Sequence, residues 1–279
     1  MTTEVPVDLV VNCYERTYRT VLSDGFFNDI AAQNDVSFAG KYVVINNVDN
    51  REDAKARAES LVATSELLGF SFVADTIAQA CAVTGVTRRM LTRPHPYLLD
   101  FGLVMAVTGT SPWLLGWDAE VRLHQPRDWV SPAVSLMSRR DDVFSAAPRW
   151  PARQRDTLED ETVARDGDWC LNCGFSDQVF LVRRHEVAAP IYRRLAPAAW
   201  ARHAEHPWTL ESRLEAYQRA SRRLRATHSE VRYGHNDLSE VVARIGGRGL
   251  RERLQHRALA KTAGLLQKSP TTSPAWHLG

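Results

Sequence analysis

Short apolar runs alternate with amphipathic stretches along the first half of the chain. Val7 to Val11 is a Val/Leu run broken only by Asp8 and closed by Asn12, the pattern of a strand buried in a parallel sheet. Glu15 to Gln33 places Tyr18, Val21, Leu22, Phe26 and Ile30 at helical spacing. Lys41 to Asn46 (KYVVIN) predicts a second strand, followed by a polar Asn/Asp turn and a helix rich in Ala, Glu and Arg from Arg51 to Leu67. Phe70 to Ala74 predicts a third strand ending at Asp75, with a helix over 76–82. Strand, helix, strand, helix, strand is the order of a parallel α/β sheet with right-handed crossovers.

The second half is less regular. A helix is expected over 97–108, then a fourth strand, Trp113 to Trp117, which runs straight into Asp118-Ala119-Glu120. Trp129 to Leu136 suits a short helix, 143–150 an extended segment, and Gln178 to Val182 a strand. Pro151 to Gly167 is polar with charges of both signs and reads as a mobile loop. Pro207 to Arg225 reads as an Arg-rich helix capped by Thr209, with Glu211 in its first turn. The pattern divides the chain into one α/β domain over 1–237 and a basic helical segment with a Ser/Thr/Pro tail over 238–279.

Composition narrows the picture by exclusion. The 279 residues are 44% hydrophobic and 24% charged, a globular balance. Net charge is only +2, so no overall field favours nucleic acid. Four of the 35 basic residues are Lys, a skew read as coding bias. No secretory leader or stretch of roughly 20 apolar residues stands out, and the expectation is a cytoplasmic protein. Cys170 and Cys173 form a CxxC without a second pair nearby, and the four thiols are expected to be buried or idle. The Arg pairs at 88–89, 139–140, 183–184 and 222–223 read mostly as solvated faces.

In open α/β sheets ligands bind at the carboxyl ends of the strands. Those ends here carry Asn12, Tyr14, Glu15 and Arg16; then Asn47, Asp49 and Asn50; then Asp75; then Asp118 and Glu120. Neither a GxGxxG nor a P-loop follows the first strand, so a bound nucleotide would be held by other means. Two carboxylates two residues apart beyond an apolar strand suit Mg²⁺ or Mn²⁺, which bridges to a diphosphate. Trp117 is expected either to stack on a ligand or to lie in the core.

The order DLVVNCYERTYRTVL, YVVINNVDNREDAKARAESL and WLLGWDAEV resembles the GT-A fold glycosyltransferases of the family-2-like kind. That resemblance implies a Rossmann-like, mainly parallel central sheet flanked by helices. It implies transfer of a sugar, with inversion, from a nucleotide diphosphate donor (a UDP-sugar as first expectation) to a hydroxyl acceptor: a saccharide, a lipid-linked molecule or a small molecule. Asn12, Tyr14, Arg16, Asn47 and Asp49 would hold the nucleoside, with Asp75 and Trp117 beside it. Asp118 and Glu120 match the metal-binding DxD, with Glu in place of the second Asp. GFSDQVFLVRR and WTLESRLEAYQR match the acceptor-side segments, implying Glu211 as catalytic base and Asp177 as its neighbour on the acceptor or sugar hydroxyls. VRYGHND ends at His235, where the family supplies a metal-binding His.

Two rivals are a sugar-phosphate nucleotidylyltransferase, which would want a Gly-rich basic turn after the first strand, and a non-catalytic nucleotide-sugar binding module. The segment 240–268 carries seven basic and two acidic residues, offering either packing on the domain or peripheral contact with an anionic membrane.

Overall fold

A computed structural model describes residues 5–91, 98–150, 162–203 and 208–235. Ten strands form the sheet: β1 (Val5–Cys13), β2 (Phe38–Ile45), β3 (Gly69–Phe72), β4 (Trp113–Asp118), β5 (Val121–Leu123), β6 (Val143–Arg149), β7 (Thr162–Asp166), β8 (Trp169–Asn172), β9 (Val179–Arg183) and β10 (Leu224–His235). Their order is β3-β2-β1-β4-β9-β6-β10-β8-β7, with β5 pairing β10 off the main path. Strands β1 to β4 are mutually parallel; the antiparallel β9 between β4 and β6 sets β6 in their direction, and β10 pairs parallel to β6. The result is an open α/β fold with a central, mainly parallel sheet flanked by helices.

Alternation along β1 and β4 assigns the two faces. Val7, Leu9, Val11 and Cys13 join Trp113, Leu115 and Trp117 in one core layer, covered by the helices Phe26–Asn34, Arg51–Ala63 and Val130–Arg139. Val10 and Leu114 face the other layer, covered by Val73–Thr84, Asp100–Val107 and Leu210–Ala220. Gly116 belongs to this second face, where a Cβ would stand 2.2 Å from the Phe180 ring; only glycine lets β9 close on β4 there.

The expected helix starts hold. Asn50 accepts from the Asp53 N–H at 3.0 Å, and Thr209 accepts from Ser212 N–H at 3.1 Å. Three expectations are corrected. Asp75 is not a strand end: it lies in the first turn of Val73–Thr84, because β3 stops at Phe72. The described part of the expected loop, Thr162–Asp166, is a strand paired with β8. The expected helix to Arg225 ends at Ala220, and β10 starts at Leu224; Leu224 and Ala226, then Val231 and Tyr233, are buried at period-two spacing on either side of a register shift after Thr227. The proposed segment 238–279 lies outside the described residues. No described helix is long and apolar enough to cross a membrane. Cys13, Cys170 and Cys173 are buried and Cys81 is half-buried, none of them in a disulfide.

Arg183 and Arg184 do not face solvent. Arg184 pairs at 2.8 Å with Asp8, which is 2% exposed in the middle of β1. Asp8 also accepts from Thr110 N–H (2.8 Å), Ser111 N–H (2.9 Å) and Ser111 Oγ (2.8 Å). Gly109 (φ +82°) brings this loop within reach, since a Cβ there would lie 2.3 Å from Asp8 Oδ2.

Candidate functional site

Parallel pairing sets Asn12 of β1 beside Asp118 of β4. Both side chains therefore leave the second face of the sheet at its carboxyl edge. Beyond Asp118 the chain turns rather than continuing extended, and Asp118 Oδ1 accepts the Glu120 N–H at 2.9 Å. That turn brings the Glu120 carboxylate back to Asp118. Antiparallel pairing of β10 with β5 sets His235 opposite Val121, the residue after Glu120. One ligand atom from each of Asp118, Glu120 and His235 lies within 4.8 Å of the others.

The site has unspent polar capacity. Among the described residues, His235 Nε2 and Asn12 Oδ1 are buried without a hydrogen-bond partner. Such groups are costly unless something satisfies them. The His235 ring is set edge-on by Trp150, centroids 5.0 Å apart. Burial pushes the Asp118 carboxyl up, against the opposing effect of the Glu120 N–H and His235. Two carboxylates and an imidazole with an orphaned nitrogen fit Mg²⁺ or Mn²⁺, the imidazole suiting Mn²⁺ better.

A second group of carboxylates adjoins this one. The Asp118 N–H donates to Gln178 O at 2.7 Å, so Asp177, one residue earlier, stands next to the three-residue cluster. Burial, the Glu211 charge and the Asp118 charge together push Asp177 up to about 7. Glu211, in the first turn of Leu210–Ala220, is raised by burial, with His203 and Arg202 opposing. Its Oε2 is 3.9 Å from His203 Nδ1, while His203 Nε2 is 2.9 Å from Glu215 Oε2. Glu215 is fully buried and bonded by Arg219 Nε at 2.7 Å. Burial pushes its carboxyl up, yet Arg202, the His203 bond and Arg219 outweigh that and hold it well below the usual carboxylate range. Tyr233 donates to Gln178 Oε1 at 3.1 Å, and burial raises its phenol to about 12.

The structure gathers Asn12, Asp118, Glu120, Asp177, Glu211 and His235. Asn47 (φ +46°) and Asp49 lie exposed in the turn after β2, where the Asp49 N–H donates to Glu15 Oε2 at 2.7 Å. Tyr14 is half-buried and Arg16 exposed in the turn after β1. Two residues leave the set. Asp75 is exposed, ion-paired with Arg51, at edge strand β3, three strands from β4. Trp117 is fully buried with its indole N–H donated to Val121 O at 3.3 Å, so it offers a ligand no face. Its position follows from strand alternation, since Asp118 and Trp117 must face opposite sides.

Asn46, Asp100, Trp150, His203, Glu215 and Tyr233 were not expected among the functional residues. Asn46 is buried just beyond β2 and donates to Asp100 Oδ1 at 3.0 Å; burial pushes Asp100 up to about 6. The Asn-rich turn and the aspartate opening an apolar helix were visible, but their meeting across 54 residues was not.

No protein-family model matches the chain, and no curated protein matches it in sequence. Among solved structures it is similar to GalNAc-T7 with UDP, GalNAc and Mn²⁺, at 10% identity and TM-score 0.46, over 82% of this chain and 43% of that one. The chain thus spans less than half the length of that structure. It is also similar to glucosyl-3-phosphoglycerate synthase from Mycobacterium tuberculosis with Mn²⁺, UDP and phosphoglyceric acid, at 12% identity and TM-score 0.42, over 92% and 78%. Residues 1–349 of S. aureus TarS match at 9% identity and TM-score 0.41, over 81% and 59%.

Proposed function

We propose that the chain is a metal-dependent glycosyltransferase that moves a sugar from a nucleotide diphosphate donor to a hydroxyl acceptor. The observation that carries this reading is the convergence of Asp118, Glu120 and His235, with one imidazole nitrogen buried and unpartnered, at the carboxyl edge of β1 and β4. Asp118, Glu120 and His235 hold Mn²⁺ or Mg²⁺. When bound, the cation supplies Lewis-acid stabilisation of charge on the departing diphosphate. Asn12, Tyr14, Arg16, Asn47 and Asp49 border the nucleoside, and Asn12 Oδ1 accepts a hydrogen bond from it.

Glu211 accepts the proton of the acceptor hydroxyl as that oxygen attacks the sugar, and inversion follows the resemblance to inverting enzymes. His203 holds the Glu211 side chain from the Glu215 side. Asp177, beside both the metal ligands and Glu211, binds acceptor or sugar hydroxyls. A carboxylate raised by burial accepts a proton more readily than an ordinary one.

A thermal-shift screen of UDP- and GDP-sugars, each with and without Mn²⁺, tests the reading. A donor at about 100 times its Kd adds about 2.7 kcal/mol to the folded state. For a domain of this size that is a rise of roughly 5–10 °C, present only with the metal. A melting temperature unmoved by every nucleotide sugar would refute it.

A further inference from the structure

Most exposed apolar side chains on a protein surface stand singly and need no explanation. Leu68, 63% exposed, is one of these. The segment 193–200 is different. Leu195 is 72% exposed and Trp200 62% exposed. Arg193 and Arg194 are exposed beside them, and neither guanidinium has an ion pair or hydrogen bond with another described residue. Two large apolar side chains and two uncommitted cations thus share one short stretch.

The exposure is imposed by anchoring from beneath. Ala196 and Ala199 pack on Ala216 of the Leu210–Ala220 helix, which turns Trp200 of the Pro197–Arg202 helix outward. Arg213 Nη2 donates to Arg194 O at 2.7 Å, fixing the backbone below the arginines. At the other end Arg202 and His203 reach the buried Glu215 at 3.7 and 2.9 Å. His203 also faces Glu211, so the patch ends about one helical turn from the carboxylate group.

We propose that Arg193, Arg194, Leu195 and Trp200 form a docking surface for an anionic lipid bilayer. Arginine heads pair with anionic headgroups, and an indole with an adjacent aliphatic side chain suits the boundary between headgroups and acyl chains. Charge complementarity and the indole favour this occupant over a second copy of the chain, whose own patch would bring the same four cations together. Bilayer binding at this surface does not depend on the function proposed above. If both hold, a lipid-borne hydroxyl would be presented beside Glu211.

The test is cosedimentation of the full-length protein with phosphatidylcholine vesicles with and without phosphatidylglycerol. The expected result is binding to the anionic vesicles only, weakened by salt as the Debye length falls. Arg193→Glu with Arg194→Glu should weaken binding by at least about 25-fold, from about fivefold per lost cation. Trp200→Ser with Leu195→Ser should weaken it by roughly tenfold or more. Brominated lipids should quench part of the parent's tryptophan emission, and Trp200→Phe should remove that part.

These side chains are exposed, so unchanged melting curves are expected for every variant. Parent protein that stays in the supernatant at low salt would overturn the proposal. Equal sedimentation of parent and both double variants would do so too, moving any binding elsewhere on the chain. So would a parent dimer that Trp200→Ser converts to a monomer without any vesicle binding.

Discussion

Replacing Glu211 by Gln should lower turnover by about 10²–10⁴-fold while leaving nucleotide binding nearly unchanged. Gln fills the same space in the first turn below Thr209 but cannot take a proton. Asp118 at the end of β4, Glu120 in the turn after it and His235 on β10 lie on other elements and keep their positions, so the loss falls on kcat. The same geometry fixes the sign of the pH dependence. Glu211 is raised by burial, and Asp177 is pushed up to about 7 by burial and by the Glu211 and Asp118 charges. Turnover of the parent should therefore fall with falling pH, as Asp177 takes up a proton when pH drops through about 7 and Glu211, raised above the ordinary carboxylate range, stops serving as an acceptor. Initial rates at saturating donor, measured across pH for the parent, Glu211→Gln and Asp177→Asn, check both points. An unaltered rate in Glu211→Gln with a large loss in Asp177→Asn would assign the proton transfer to Asp177.

The largest expected loss of stability lies in the middle of β1. Asp8→Ala leaves Arg184 charged and buried, with Thr110 and Ser111 stripped of their acceptor. Breaking a buried pair from one side costs about 3–5 kcal/mol. At roughly 2–4 °C per kcal/mol for a domain of this size, the melting temperature should drop by roughly 6–20 °C. Arg184→Met alone should be comparably harmful, because it leaves Asp8 as the lone buried charge. The double variant Asp8→Leu with Arg184→Met should recover part of the loss, since no unpaired charge remains. Calorimetric melting of the four proteins separates these outcomes; equal melting of parent and Asp8→Ala would show that the pair is not structural.

The parallel half of the sheet was legible because each strand announced itself by an apolar run and each helix by a cap or an amphipathic face. Asp118, Glu120 and His235 were legible from order along the chain. What brings them together was not: a tight turn at Glu120, and a register in β10 that places His235 opposite Val121. Strand β10 itself was hidden because its buried positions are filled with Thr227 and His228 as well as Val231 and Tyr233. Asp8 shows the same limit from the other side. One aspartate in an apolar run reads as a blemish until Arg184, 176 residues later, arrives as its partner. Trp117 was decidable in advance, since period-two alternation already opposes it to Asp118. Asp75 failed for a smaller reason: FSFVAD continues the apolar run past the point where the backbone becomes helical.

The central claim is that Asp118 anchors a metal-dependent nucleotide site. Isothermal titration of UDP into the protein in saturating Mn²⁺, and again in chelator, addresses it most directly. The parent should bind only with the metal, and Asp118→Ala should lose at least about 10–100-fold in affinity, the cost of removing even a group that only supports a metal ligand. His235→Ala should lose less, because both carboxylates remain. Equal UDP affinity for the parent and Asp118→Ala in saturating Mn²⁺ would contradict the account.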